Sequence, residues 1–315
     1  MDDVHVLGPR RSSYFENHRH RRALIDSISA GTVPLKYAYA GSAAYTHDRY
    51  ASTADYSAMM ASAANESETL LMSGVRDLDL RDLAEVGPGN GRHSVAFLRG
   101  LAERGRAPRR YLGVDFSATL LNIAAERIRA QAGAGLAVDT AVWDVEDRPS
   151  PCLERWRSGA GPVVVCMLGG TLGNLESPVQ VLRNLADGLC SGDVLLLTVL
   201  LRPATAAVES TMSAYRTEAF RCAALEPLVA AGLRPADMRL TLTYDDSAVV
   251  GEVTLLRDAR VGRTRLPRGH QFRCFLSRRF AGDEVIRLLY DSGWAVRAVR
   301  VDEADHHMTL VAARK

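Results

Sequence analysis

The 315-residue chain lacks several features that would assign a protein class at once. Its five cysteines are scattered and include no C-x-x-C pair, so neither a disulfide framework nor a zinc site is expected. No stretch approaches the ~20 apolar residues that cross a bilayer, and the N-terminus has no apolar signal core. These absences predict a cytoplasmic protein with no metal and no membrane partner. Cys166 and Cys190 lie within apolar patterns and are expected to be buried thiols.

The charge of the chain is nearly balanced, with 39 Lys and Arg residues against 37 Asp and Glu residues. A formal net charge of +2 gives little reason to expect a nucleic-acid partner, although arginines cluster at 18–22 and 104–110. Apolar residues make up 47% of the sequence, which is ordinary for a soluble globular enzyme. At this length, a main domain with a smaller second domain is expected.

The stretch 85–91, which reads E-V-G-P-G-N-G, is the most informative part of the sequence. It follows an apolar run over 78–86 and precedes a helical pattern that begins near His93. A strand that ends in a glycine turn and leads into a helix lets backbone N–H groups approach a ligand closely. Asp115 ends a second predicted strand, at the distance typical of a carboxylate that binds ribose hydroxyls.

Two cofactors bind to such an arrangement, namely dinucleotides and S-adenosylmethionine (SAM). The dinucleotide fingerprint G-x-G-x-x-G requires a third glycine at position 92, where this chain has Arg92. The pattern E-x-G-x-G-x-G instead resembles motif I of the class I SAM-dependent methyltransferases. We therefore expect SAM as the cofactor, with a nicotinamide-dependent oxidoreductase as the alternative.

Strand and helix patterns continue to alternate after this motif. Helical patterns lie at 118–131 and 179–190, and further apolar strands are predicted at 136–143, 162–168 and 193–201. Such alternation predicts an α/β fold with a right-handed, doubly wound parallel sheet, whose ligands bind at the carboxyl ends of the strands.

The segment 201–282 interrupts this alternation. A helical stretch over 206–232 precedes runs at 238–244, 249–256 and 271–280 that predict an antiparallel meander. A helix over 282–292 and strands at 295–301 and 308–313 then return to the first sheet. We expect a SAM-binding domain and a second α+β substrate domain, formed by 61–200 plus 283–315 and by 1–60 plus 201–282, respectively. Five tyrosines between 37 and 56 suit either packing against the main domain or the lining of a small-molecule pocket.

Residues 167–175, which read M-L-G-G-T-L-G-N-L, carry a more specific signal. They resemble the L-G-S-T-I-G-N-L motif of the histidine Nα-methyltransferases of ergothioneine biosynthesis. The resemblance also includes motif I, the acid that ends the second strand, residues 143–146 and the C-terminal elements, so it spans nearly the whole chain. It implies a Rossmann-like class I methyltransferase fold, SAM as cofactor and N-methylation of a free amino acid or a small amino-acid derivative.

The resemblance also implies which residues contact SAM. Asp115 would accept hydrogen bonds from both ribose hydroxyls, and such charge-assisted bonds are stronger than neutral ones. Asp144 would accept from the adenine amine, while the Val145 backbone N–H would reach a ring nitrogen. The implied cofactor-binding residues are Tyr39, Gly87, Gly89, Asp115, Asp144 and Val145.

Substrate-binding positions follow in the same way. Asn174 matches the family asparagine in G-N-L, and Tyr56 and Tyr215 match family tyrosines; Tyr56 and Asn174 are the implied catalytic residues. Ser277 matches the serine of a glutamate-x-serine pair, but Phe275 occupies the position of the glutamate. That glutamate is the acidic partner of the imidazole in the family, so histidine itself is not the expected substrate.

Other readings of the substrate stay open. Phe275 favours an apolar or planar side chain, whereas a shifted alignment would place Arg273 or Arg278 at the pocket and favour an acidic group. Methylation of another small natural product at nitrogen or oxygen is a further alternative. The expected partner is a small molecule, and the expected oligomeric state is a monomer or weak homodimer.

Overall fold

A computed structural model of the chain describes residues 14–59, 61–74, 80–133, 135–159, 161–245, 247–302 and 306–315. The α-helices within these residues are α1 (His18–Ala30), α2 (Ser42–Tyr50), α3 (Ala54–Met59), α4 (Ala63–Met72), α5 (Arg92–Glu103), α6 (Ala118–Gln131), α7 (Cys152–Trp156), α8 (Pro178–Asp187), α9 (Val208–Ser213), α10 (Glu218–Ala230) and α11 (Gly282–Asp291). The strands are β1 (Asp82–Val86), β2 (Arg110–Asp115), β3 (Ala137–Val142), β4 (Val163–Met167), β5 (Val194–Leu200), β6 (Met238–Tyr244), β7 (Ala248–Leu255), β8 (Ala259–Val261), β9 (Thr264–Leu266), β10 (Gln271–Arg278), β11 (Trp294–Val301) and β12 (His307–Arg314). Among the described residues, no helix has the length and apolarity that a membrane span requires.

The central sheet has seven strands in the order β11-β12-β5-β4-β1-β2-β3. Strands β1 to β5 run parallel to one another, whereas β12 lies antiparallel between β5 and β11. The strand order reverses between β1 and β4, where an open α/β sheet leaves a crevice at the carboxyl ends of its strands. The predicted doubly wound α/β sheet, closed by a helix and a hairpin, is therefore confirmed.

Both faces of this sheet are covered by other elements, and β5 illustrates the sequence that such a strand needs. All seven residues of β5 are buried, because successive side chains of a strand point to opposite faces. Leu195 and Leu197 pack in one hydrophobic cluster with Trp294, while Leu196 packs in another cluster with Phe97. This strand therefore requires an almost continuous apolar run, and the hydroxyl of its one polar residue, Thr198, lies 3.3 Å from that of Thr309.

Strands β6, β7 and β10 form a separate antiparallel sheet in the order β10-β7-β6, as the alternating runs predicted. Most of its buried apolar residues share one hydrophobic cluster with residues of α1, α2 and α10, among them Tyr50, Phe220 and Phe272. The backbone N–H of Val33 donates to the Arg273 carbonyl at 2.8 Å, which attaches the segment after α1 to β10. Parts of the chain that are distant in sequence thus contribute to one core.

Some details differ from the sequence predictions. The helical stretch 206–232 is divided into α9 and α10, because Thr217 accepts a hydrogen bond from the Phe220 N–H and caps a new helix. The predicted burial of Cys190 is wrong, since this residue is exposed between the end of α8 and the start of β5. In the apolar run 78–86 the strand begins at Asp82, and 78–79 lie outside the described residues.

Trp294 provides a test of how the closing hairpin is held. Its side chain is fully buried, and its Nε1–H donates to the Leu182 carbonyl of α8 at 3.0 Å. We expect Trp294→Ala to lower the free energy of unfolding by about 3–5 kcal/mol, because it leaves a cavity in the core. Urea denaturation measures the change. Val299→Ala, on the same strand but 44% exposed, should cost less than about 0.5 kcal/mol, and equal losses would contradict the proposed packing.

Candidate active site

A cavity of about 740 Å³ lies at the carboxyl ends of β1, β2, β3 and β4. The topology places it there because the loops after parallel strands meet at one edge of the sheet. Concave sites of this size are typical for small molecules and cofactors. Every residue that the sequence predicted to bind the cofactor lines this cavity, namely Tyr39, Gly87, Gly89, Asp115, Asp144 and Val145.

The glycine turn after β1 has the backbone conformation that only glycine adopts without strain. Gly87, Gly89 and Gly91 have φ values of 75°, 57° and 79°. A Cβ atom at Gly87 would lie 2.7 Å from Cγ2 of Thr171, in the loop after β4, whereas a Cβ at Gly89 would meet nothing within 4 Å. The turn therefore packs against the neighbouring loop on one side and leaves backbone open to the cavity on the other.

Asp115 lies at the end of β2 in a setting that disfavours its charge. Burial raises the pKa of Asp115 to about 7, although backbone N–H groups of Ser117 and Phe116 act in the opposite direction. The nearby carboxylates of Glu16 and Asp144 raise this pKa further. A ligand that donates hydroxyl hydrogens would favour the ionised carboxylate and lower its pKa.

Lys36 is a member of the site that the sequence analysis did not assign. Its Nζ atom lies 2.6 Å from Oδ2 of Asp144 and 3.6 Å from Oε2 of Glu146. It also lies 5.3 Å from the ring centroid of Phe116, within range of a cation–π contact. An adenine amine bound at Asp144 would share the carboxylate with this ammonium group. The available signal was the position of Lys36 three residues before Tyr39.

A contact between Glu66 and His93 lies beside the cavity. Glu66 of α4 is fully buried, and its carboxylate lies 2.6 Å from Nε2 of His93, which lines the cavity. Burial alone would raise the pKa of Glu66, but the contacts with His93 and hydroxyl donors such as Ser62 lower it overall. The Gly169 N–H also donates to this carboxylate, at 3.4 Å. Glu66 thus connects α4, α5 and the loop after β4.

A second, smaller chamber of about 50 Å³ adjoins the cavity. Five residues line both spaces, which makes them the junction between the two: Tyr39, His47, Tyr56, Gly169 and Asn174. The Nδ2 atom of Asn174 lies 3.5 Å from the hydroxyl of Tyr39. All the residues that the sequence predicted to bind substrate line this chamber, namely Tyr56, Asn174, Tyr215, Phe275 and Ser277.

Aromatic side chains form much of the chamber wall. The ring of Phe275 meets that of Phe220 edge-on, with centroids 4.8 Å apart, and lies 5.4 Å from that of Tyr215. At the junction, burial lowers the pKa of His47 to about 4 and raises the pKa of Tyr56 to about 12. Both groups are therefore uncharged at neutral pH. His47, which sequence reasoning missed, packs 4.6 Å from the ring of Tyr39.

The alternative placement of Arg273 or Arg278 at the pocket is wrong, because neither residue lines the cavity or the chamber. Arg273 forms an ion pair with Glu176 at 2.6 Å, and Arg278 donates to the backbone carbonyls of Leu175 and Glu176. Both arginines connect β10 to the loop after β4. The two guanidinium groups therefore bind other elements of the fold and line neither space.

The sheet topology, the glycine turn and the acids at the end of β2 and after β3 define a class I SAM-dependent methyltransferase. A sequence model described as the histidine-specific, SAM-dependent methyltransferase family matches residues 41–315. The chain belongs to this family, and its cofactor is SAM. This result decides between the two cofactors that the glycine motif left open. No curated protein matches the chain.

Several solved structures resemble the chain at low identity. A SAM-dependent methyltransferase from Clostridium acetobutylicum is 12% identical, with 81% of this chain and 92% of that chain covered and a TM-score of 0.44. The magnesium protoporphyrin IX methyltransferase of Synechocystis PCC 6803, with bound S-adenosylhomocysteine, is 12% identical, with coverages of 88% and 96% and a TM-score of 0.48. An amino pentose methyltransferase from Micromonospora echinaspora is 15% identical, with coverages of 87% and 95% and a TM-score of 0.41.

The pKa of Asp115 predicts how cofactor binding depends on pH. Ribose hydroxyls bind best to the ionised carboxylate, so the affinity for SAM should be constant well above pH 7 and should fall as the pH drops below the pKa of about 7. The expected loss is up to about tenfold per pH unit. Isothermal titration calorimetry between about pH 5.5 and about pH 8 measures it.

Asp115→Asn is the matched control for this pH dependence. It should weaken SAM binding by roughly tenfold or more, because a charge-assisted acceptor is lost. It should also remove the part of the pH dependence that Asp115 contributes, leaving the titration of the ligand and of other groups. Identical pH profiles of wild type and Asp115→Asn would show that Asp115 does not bind the ribose as an ionised carboxylate.

Proposed function

We propose that the protein transfers a methyl group from SAM to an amine nitrogen of a free amino acid or a small amino-acid derivative. The observation that carries this proposal is the junction, where Tyr56 and Asn174 lie between the cofactor cavity and the aromatic chamber. A substrate seated in the chamber would direct its amine through this junction toward SAM. Asparagine and tyrosine side chains both donate and accept hydrogen bonds, as binding of an amino acid requires.

We further propose a division of labour between two parts of the chain. Residues 61–200 plus 283–315 would bind SAM, because they supply the glycine turn, Asp115, Asp144 and Val145. Residues 1–60 plus 201–282 would bind the substrate. Buried residues from both of these segments belong to one hydrophobic cluster. That cluster contains Tyr215, Phe220 and Phe275, which also line the chamber.

The residues at the junction suit positioning more than strong base catalysis. SAM supplies a methyl group that its sulfonium charge already activates. Holding an amine in line with that methyl group can contribute several kcal/mol through proximity alone. With a pKa of about 12, Tyr56 stays protonated at neutral pH and orients the substrate as a hydrogen-bonding phenol. With a pKa of about 4, His47 is too weak a base to hold the amine proton at neutral pH.

Phe275 supports a substrate other than histidine. It occupies the position at which the family resemblance implies a glutamate, and its ring packs against Phe220 and Tyr215 in the chamber wall. An imidazole placed there would leave its polar nitrogens against apolar surface, which costs free energy. A compact apolar side chain would fit this wall. The description of the family makes histidine the competing candidate.

The deciding experiment is methyl transfer from labelled SAM to a panel of free amino acids. We expect an amino acid with a compact apolar side chain to be methylated faster than histidine, for the reason just given. Asn174→Ala should lower kcat/KM for that substrate by roughly tenfold to a hundredfold, with SAM affinity nearly unchanged, because its proposed contacts are to the substrate. Efficient methylation of histidine would overturn the specificity argument, and full activity of Asn174→Ala would overturn the proposed site.

Enlarging the chamber tests the role of Phe275 separately. Phe275→Ala should raise the ratio of kcat/KM for larger to smaller apolar amino acids by roughly tenfold, because it removes a ring from the wall. Phe272→Ala is the matched control, since Phe272 is buried in the same cluster but does not line the chamber. Both variants should lose about 3–5 kcal/mol of stability. A specificity change that is equal in both variants would contradict the assignment of Phe275.

A further inference from the structure

One end of the aromatic chamber is polar. The hydroxyls of Tyr215 and Ser277 lie there, and both residues are almost completely buried. Behind them lies Arg279, which is only 4% exposed and follows the last residue of β10. Its Nη2 lies 2.6 Å from the Tyr215 hydroxyl, and its Nη1 lies 2.8 Å from Oγ of Ser277.

Hydrogen-bond polarity fixes the direction of these contacts. A guanidinium group carries N–H donors and no acceptor, so both hydroxyl oxygens must accept hydrogens from Arg279. The hydroxyl hydrogens of Tyr215 and Ser277 therefore point elsewhere. The two oxygens are 3.5 Å apart, which is long for a hydrogen bond between hydroxyls. In the described part of the chain, these hydroxyls have no other acceptor within hydrogen-bond distance, so their hydrogens are available to the chamber.

We propose that Arg279 is a positioning residue that makes this end of the chamber a hydrogen-bond donor site for a carboxylate of the substrate. The proposal rests on the proposed function, since it assigns the chemistry of the group that the chamber receives. An anionic oxygen would accept hydrogen bonds from hydroxyls that are already oriented as donors, and it would lie near a buried positive charge. A cationic group would meet only donors and the same charge, which is unfavourable.

Arg279 acts through the two hydroxyls and does not contact the ligand, because it is absent from the residues that line the chamber. Its guanidinium carbon also lies 5.9 Å from the Tyr215 ring centroid, so it holds the ring as well as the hydroxyl. Its own backbone is held by a hydrogen bond from its N–H to the Ser247 carbonyl at 2.6 Å. These contacts hold the donors in place before a ligand binds.

Two probes of equal skeleton and opposite charge test the proposal without turnover. Calorimetry on the complex with S-adenosylhomocysteine would compare butanoate with butylammonium, whose compact apolar chains suit the chamber. The wild type should bind the carboxylate at least roughly tenfold more tightly. Arg279→Met should lose this preference, and Arg279→Lys should keep part of it. Binding of S-adenosylhomocysteine should stay unchanged, because Arg279 lies outside the cofactor cavity.

The double variant Tyr215→Phe/Ser277→Ala keeps the test decisive if Arg279→Met does not fold. It removes the donating hydroxyls, leaves the guanidinium in place and should reduce the preference for the carboxylate, because only the attraction of the positive charge remains. Equal binding of the two probes by the wild type, or a preference that is unchanged in all the variants, would overturn the proposal. Failure of every amino acid in the methylation panel would instead overturn the proposed function, since the binding experiment requires no methyl transfer.

Discussion

The loop after β4 is held between the glycine turn and the second sheet, and the spacing of the whole site depends on this contact. A Cβ atom at Gly87 would lie 2.7 Å from Cγ2 of Thr171, and one at Gly173 would lie 2.7 Å from the Arg278 carbonyl oxygen. The short 3₁₀ helix Thr171–Asn174 thus packs closely on both sides. Because it carries Asn174, these contacts set the distance between the cofactor cavity and the aromatic chamber.

Burial determines the charge of the groups around this loop. The same desolvation that raises the pKa of Asp115 to about 7 keeps Tyr56 protonated and His47 neutral. Glu66 differs, because its contacts with His93 and with the hydroxyls of Thr198 and Ser62 together lower its pKa despite burial. The cofactor side is therefore lined by acids and their cationic partners, while the junction offers uncharged hydrogen-bonding groups. This division suits a charged cofactor on one side and, on the other, the neutral amine of the proposed reaction.

The chamber takes its character from a core that two distant parts of the chain build together. Tyr50 from α2, Phe220 from α10 and Phe275 from β10 all belong to one hydrophobic cluster and all line the chamber. Residues that stabilise the fold thus also form the wall of the proposed substrate chamber. Arg279 gives this apolar surface a polar end. It donates to the oxygens of two buried hydroxyls, which leaves their hydrogens to act as donors. Stability and specificity are therefore coupled here, which is why matched core variants are needed to separate them.

Local patterns in the sequence determined most of the main architecture. The bounds of α6 and β6 match the predicted ranges, because the period and burial of a strand or helix are properties of consecutive residues. Every cofactor and substrate residue that the motifs and the family resemblance predicted lines the cavity or the chamber. Tertiary structure alone decided the contact of Lys36 with Asp144, 108 positions away, the pairing of Glu66 with His93, and the position of Arg279 behind two hydroxyls. These are side-chain contacts between separate elements, and no local periodicity encodes them, because they depend on how the elements pack.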